Sequence, residues 1–203
     1  MISEIILIIC IVLTAILYIG IIMLYIVNRK KHTSITASEE VLKILDDEAS
    51  INLIESRESI FSKYNIKRKM VKLSSNTYDS NNSFKVAIAS LLAGYSLTDN
   101  KLLNYIAYIF RELKFISFTS IISLLASLFV SNAGDAKICI ILLIIIAVYL
   151  YILDIINNDA ISKIKIEDNN VNKILNKFII FSKVSFIITL IEIIRLVVII
   201  LGI

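Results

Sequence analysis

The sequence contains no proline and no tryptophan in 203 residues, and only four glycines, two cysteines and one histidine. Each shortage excludes something. Without proline, no ring interrupts a helix, so helices stop only where caps or turns stop them. Two cysteines, Cys10 and Cys139, are too few for a disulfide framework or a zinc ribbon. Both fall inside apolar runs, where cysteine serves as a small apolar filler. The single histidine, His32, cannot by itself supply the imidazoles a hydrolytic zinc site usually needs. It stands in the basic stretch "NRKKH", where a solvated flank residue is the simpler reading.

Hydrocarbon is in excess. The chain is 58% hydrophobic with a mean hydropathy of +0.84, and isoleucine dominates. Apolar runs of about 18 residues or more read as transmembrane helices. Four stretches qualify or nearly so: residues 5–27, 115–130, 138–156 and 178–203. The first is too long for the core of a signal peptide and has no small-residue cleavage site after it, so it reads as a retained anchor. The second is short and carries serines and a threonine, which leaves both a full span and a re-entrant helix open. The expected fold is a mainly α membrane protein with four transmembrane helices and a small cytosolic α+β insertion. Its parts are an anchor (1–27), a cytosolic block (28–114) and a C-terminal membrane region (115–203).

Charge orients these segments. Arg29, Lys30 and Lys31 follow the first run directly, and such residues favour the cytoplasmic side. Residues 28–114 carry 14 Lys and Arg against 10 Asp and Glu, and residues 157–177 carry four lysines. The link "SNAGDAK" is nearly neutral. All three observations place 28–114 and 157–177 in the cytoplasm of a multi-pass protein of the cell membrane, with the bilayer as an obligate partner. The net charge of +4 is explained by this flanking charge. No basic-aromatic interleaving calls for a nucleic-acid partner.

The polar block has local signals. Thr36 precedes Glu39 by three residues, as in a capping box, ahead of a helix expected over 37–48. Residues 51–56 and 67–75 read as short strands, with Met70 and Lys72 on one face and Val71 and Leu73 on the other. Residues 74–83 are rich in turn formers. A helix over 83–98 follows, with Ser83 or Asn82 as its N-cap, and an amphipathic helix then feeds the second span. About 85 residues make a marginal core, so this block is expected to pack against the membrane helices. The stretch "ASLLAGYSL" places Gly94 inside the 83–98 helix, where glycine costs about 1 kcal/mol relative to alanine.

In its order of elements the chain resembles the YugP-type neutral zinc metallopeptidases, a family of membrane-anchored proteins. "ITASEEVLKIL" (35–45) is similar to the family's "LTGAEVARRIL"-like opening. "KMVKLSSNTYDSNNSFKVAIASLLAG" (69–94) is similar to its "KVVRLSESVYNS…AVAAHEAGH"-like stretch, with Leu73, Ser74, Tyr78 and Ser80 in register. The family's His-Glu-x-x-His helix presents two imidazoles four residues apart to one Zn²⁺, with the glutamate as general base. The resemblance puts Leu91 at the first histidine, Leu92 at the glutamate and Tyr95 at the second histidine, around Ala93 and Gly94. Leucine binds no cation and moves no proton, and a phenol ionises only near pH ~10. For the family's third-ligand stretch, "ILDIINNDAIS" (152–162) offers Asp154, or Leu153 one register away. A helix-end carboxylate at the interface is the plainer reading of Asp154.

The resemblance thus implies a degenerate member. Its vestigial positions are Leu91, Leu92, Tyr95 and, in one of the two registers, Asp154, with no catalytic residue, no metal ligand and no expected cofactor. The leading expectation is a pseudopeptidase that binds a peptide or an active relative as a scaffold or regulator. One alternative is an active zinc metallopeptidase with displaced ligands drawn from Asp154, Asp99 and His32. Another is a small four-helix protein of transport or pore type. Glu192 and Arg195, three residues apart in the last run, with Lys183 nearer its start, bear on that alternative. Ionisable residues within a span are costly and are functional candidates by default. A local pair facing the bundle interior is the plainer account.

Overall fold

The structure is a computed structural model that describes residues 2–45, 52–56, 62–66, 68–99, 128, 130 and 133–202. Among these residues the chain is mainly helical, with one small sheet. The elements are α1 (Ile2–Asn28), α2 (Ala37–Leu45), β1 (Asn52–Ser56), β2 (Lys63–Asn65), β3 (Met70–Ser74), α3 (Ser75–Tyr78), α4 (Ser83–Leu97), α5 (Ala133–Lys163) and α6 (Asn169–Leu201).

Three helices, α1, α5 and α6, are long and apolar enough to cross a membrane. Their outer faces carry bare hydrocarbon: Ile8, Ile16, Ile19, Ile138, Ile141 and Ile194 are all more than half exposed. Water would penalise such a surface and lipid would not. The expected second span, residues 115–130, lies outside the described residues apart from Leu128 and Val130; the three membrane-length helices are those found among the described residues.

Two helices also differ from expectation in length. The run expected at 138–156 is the middle of a 31-residue helix, and the run expected at 178–203 is the C-terminal part of a 33-residue helix that begins at Asn169 and ends at Leu201. Most of the expected link 157–177 is therefore helical, and only residues 164–168 between α5 and α6 are not. The sequence between the runs holds no proline or glycine to stop either helix. Asp168 ends the link by capping α6: its Oδ1 accepts from the Asn170 and Val171 backbone N–H groups at 2.7 and 3.1 Å.

The chain divides into two compact units. The first comprises Met1–Ile22, Leu113–Asp154 and Ile180–Ile203. Its core is built from Ala136, Cys139, Leu143 and Leu196, with Ile140, Ile146 and Ile193 packed around them. The second comprises Met23–Glu112 and Ile155–Ile179. It therefore joins the polar block to the polar ends of α5 and α6.

In the second unit, α2 starts on a complete capping box. The Thr36 N–H donates to Glu39 Oε2 at 2.7 Å, and the Glu39 N–H donates to Thr36 Oγ1 at 3.3 Å. The sheet order is β1-β3-β2, with β1 parallel and β2 antiparallel to β3. Val71 and Leu73 of β3 are fully buried, while Met70 and Lys72 on the other face are half-buried. Strand β3 begins at Met70 because Lys69 turns the chain with a left-handed φ of 44°. The turn-rich stretch at 74–83 contains one helical turn, α3.

Helix α4 is capped by Asn82, whose Oδ1 accepts from the Phe84 and Lys85 N–H groups. The same side chain donates through Nδ2 to the carbonyls of Arg29 at 2.7 Å and Asn28 at 3.3 Å. One asparagine thus ties the start of α4 to the end of α1. Backbone bonds from Thr33 N–H to the Asn81 carbonyl and from Ser83 N–H to the Lys31 carbonyl reinforce the tie. Phe84 extends it, meeting Tyr25 and Phe178 edge-on at centroid distances of 5.4 and 5.7 Å.

Candidate functional site

Helix α4 carries the positions that the zinc-peptidase resemblance singles out. Leu92, Ala93, Gly94 and Tyr95 are buried, and Leu91 is half-buried. Their partner is the polar end of α5. A Cβ built on Gly94 would lie 2.8 Å from the Ala160 carbonyl oxygen and 3.2 Å from the Ala160 Cβ. Alanine side chains do not approach a backbone oxygen so closely, so only glycine lets the two helices meet at this separation.

One residue further on, the Tyr95 hydroxyl donates to Asn157 Oδ1 at 2.5 Å. Both residues are buried, with Asn157 2% exposed. At the C-terminal end of α4, Lys163 donates to the Leu97 carbonyl at 3.0 Å and pairs with Asp99 at 2.5 Å. A cation there also complements the negative end of the α4 dipole. Asn157, Ala160 and Lys163 recur every three residues on α5 and form one continuous seam against α4.

This arrangement does not fit a zinc ion. Leu91 and Leu92 present hydrocarbon, and the Tyr95 oxygen is engaged by Asn157. The displaced-ligand candidates are held elsewhere. His32 Nδ1 bonds Asn81 Oδ1 at 2.8 Å, and Asp99 pairs with Lys163. Asp154 is half-buried and has an interaction of its own. Among the described residues no group of three or more His, Cys, Asp or Glu is placed to hold a metal. The sequence reading concentrated on Asp154 and missed Asn157.

A second feature of the same unit is a cavity of about 140 Å³ beside α2. Its polar wall includes Glu40, which is 4% exposed and whose Oε1 has no hydrogen-bond partner. Burial raises the Glu40 pKa above the usual carboxylate value, Lys43 opposes the rise, and Glu167 and Asp168 add to it. Lys43 pairs with Glu167 at 2.9 Å, which raises the Lys43 pKa and lowers that of Glu167.

In the membrane unit, Glu192 and Arg195 sit one turn apart on α6 with a closest approach of 3.5 Å. Glu192 is fully buried and Arg195 is 5% exposed. Cys10 and Cys139, from α1 and α5, lie close enough to feel both charges.

No protein-family model matches the chain, and neither a curated protein nor a solved structure is significantly similar to it.

Proposed function

We propose that this chain is a multi-pass membrane protein that keeps the frame of a YugP-type zinc metallopeptidase without its chemistry, and that it binds or scaffolds rather than cuts. The Tyr95–Asn157 bond carries this reading. In the family frame Tyr95 stands where the second histidine would bind zinc, and here its oxygen is used to fasten two helices. The close Gly94–Ala160 approach supports the same reading, since it fills the space beside that position with backbone.

The polar block and the α5–α6 link face the cytoplasm in this proposal, in keeping with Arg29, Lys30 and Lys31 after α1. The bound partner is an extended peptide or an active relative. Among the described residues strand β1 is bonded to β3 alone within the sheet, and its other edge is the place for a further strand in this reading.

The test is the metal content and peptidase activity of the purified full chain. The expected result is substoichiometric zinc and no chelator-sensitive cleavage. One zinc per chain, or cleavage abolished by a chelator, would overturn the proposal in favour of displaced ligands.

A second reading is favoured by one observation, the buried Glu192–Arg195 pair in a membrane-length helix. It makes the protein a small transporter or pore. Ion flux in liposomes that disappears when both residues are neutralised would establish it.

A further inference from the structure

The cavity beside α2 has an unusual distribution of charge. Three carboxylates line it, from Glu40, Glu167 and Asp168, against one cation, Lys43. Two of the three are already committed. Asp168 Oδ1 caps α6, and Glu167 is paired with Lys43. Glu40 stands one turn before Lys43 on α2, yet Lys43 reaches across to Glu167. That leaves Glu40 as the nine-tenths-buried carboxylate with an unbonded oxygen, Oε1.

A buried charge without a partner is costly, and a charged hydrogen bond would offset much of that cost. The rest of the wall is Thr33 and Ser34 on one hand and hydrocarbon from Ile35, Val86 and Val171 on the other. The volume equals that of about four or five liquid waters, which is small for a folded peptide and ample for a short alkyl chain.

We propose that this cavity binds a small primary ammonium ion, with the charged nitrogen at Glu40 and the alkyl chain against Ile35, Val86 and Val171. A divalent cation is the weaker fit. Magnesium and calcium seek six or more oxygen ligands, and the oxygens of Glu167 and Asp168 are partly taken. An ammonium needs only a few acceptors and tolerates hydrocarbon beside it. The surplus negative charge also excludes an anion, despite the nearby start of α6.

The experiment is calorimetric titration of the full-length protein in detergent micelles with n-butylammonium chloride, against sodium chloride at equal ionic strength. Parallel titrations use magnesium chloride. The variants are Glu40→Gln, which removes the charge, and Val171→Phe, which fills the apolar end and keeps the carboxylate. Circular dichroism checks that each is folded. Saturable n-butylammonium binding that weakens tenfold or more in both variants is the expected result. If Glu40→Gln does not fold, Val171→Phe decides alone. Absence of saturable binding by the parent, binding unchanged in the folded variants, or tighter Glu40-dependent binding of magnesium would each overturn the assignment. The first of these would mean that water or a proton satisfies Glu40.

Discussion

Gly94 and Ala160 are in backbone contact: any Cβ on Gly94 would fall 2.8 Å from the Ala160 carbonyl oxygen. The two residues are far apart in sequence, and no side chain mediates their approach. The seam between α4 and α5 is therefore set by the absence of an atom.

The substitution Gly94→Ala tests this directly. Helix propensity alone would favour alanine by about 1 kcal/mol. The clash is with backbone, which cannot rotate away, so the net effect is a destabilisation of about 1–3 kcal/mol. Gly20→Ala is the control, because its Cβ would meet the Phe181 ring at 3.2 Å, and a ring can shift. Thermal unfolding in detergent should rank Gly94→Ala well below Gly20→Ala. Equal melting temperatures would remove the packing role of Gly94.

Tyr95→Phe should also destabilise, by about 1–3 kcal/mol, because it strips the donor from a buried Asn157 oxygen. Asn157→Leu alone removes the acceptor of the Tyr95 hydroxyl. The double variant should recover part of the loss, since both partners of the bond then leave together. Strictly additive effects in that cycle would argue against a direct bond.

The buried acid Glu40 makes a signed prediction about pH. Its folded pKa is raised above its unfolded value near 4.5. A raised carboxylate stabilises the fold while protonated, fully so below about pH 4.5, and that contribution is lost as pH rises through the folded pKa. Glu39 and Glu167 are lowered and act the other way, stabilising above 4.5 and losing that effect as pH falls through their folded values. Of these three carboxylates, Glu40 is the one whose contribution falls as pH rises above about 4.5. The gain in melting temperature from Glu40→Gln should grow as pH rises above about 4.5. A constant difference would show that Glu40 does not titrate there.

Breaking the membrane-unit pair should be more damaging than deleting it. Glu192→Leu removes the carboxylate partner of a buried guanidinium, for an expected cost of about 3–5 kcal/mol. Replacing both residues, with Glu192→Leu and Arg195→Met, should restore folding yield to near that of the parent. A double variant as unstable as the single one would indicate that the pair specifies the fold beyond its own charge balance.

Local signals in the sequence translated into structure where one residue type had one physical role. Thr36 and Glu39 formed the reciprocal cap that their spacing implies, and Asn82 capped α4. Strand β3 buried Val71 and Leu73 as alternation requires. Strand β2, at three residues, is too short for alternation to register. The ends of α5 and α6 were illegible for another reason. Apolar runs mark where lipid contact occurs, whereas these helices continue on polar sequence that docks within the second unit. The candidate site was legible on α4 and illegible on α5, because an asparagine and an alanine announce nothing until their partner is known.

The α4–α5 seam also has a consequence in time. Asn157 is synthesised 62 residues after Tyr95, and Lys163 66 residues after Leu97. At ribosomal rates of about 5–20 residues per second, that interval lasts about 3–13 s. During it, the face bearing Leu92, Ala93, Gly94 and Tyr95 has no α5 to cover it. The nascent chain must therefore shelter a sticky helix face until the penultimate long helix emerges, and a chain cut short before Asn157 would leave that face permanently open.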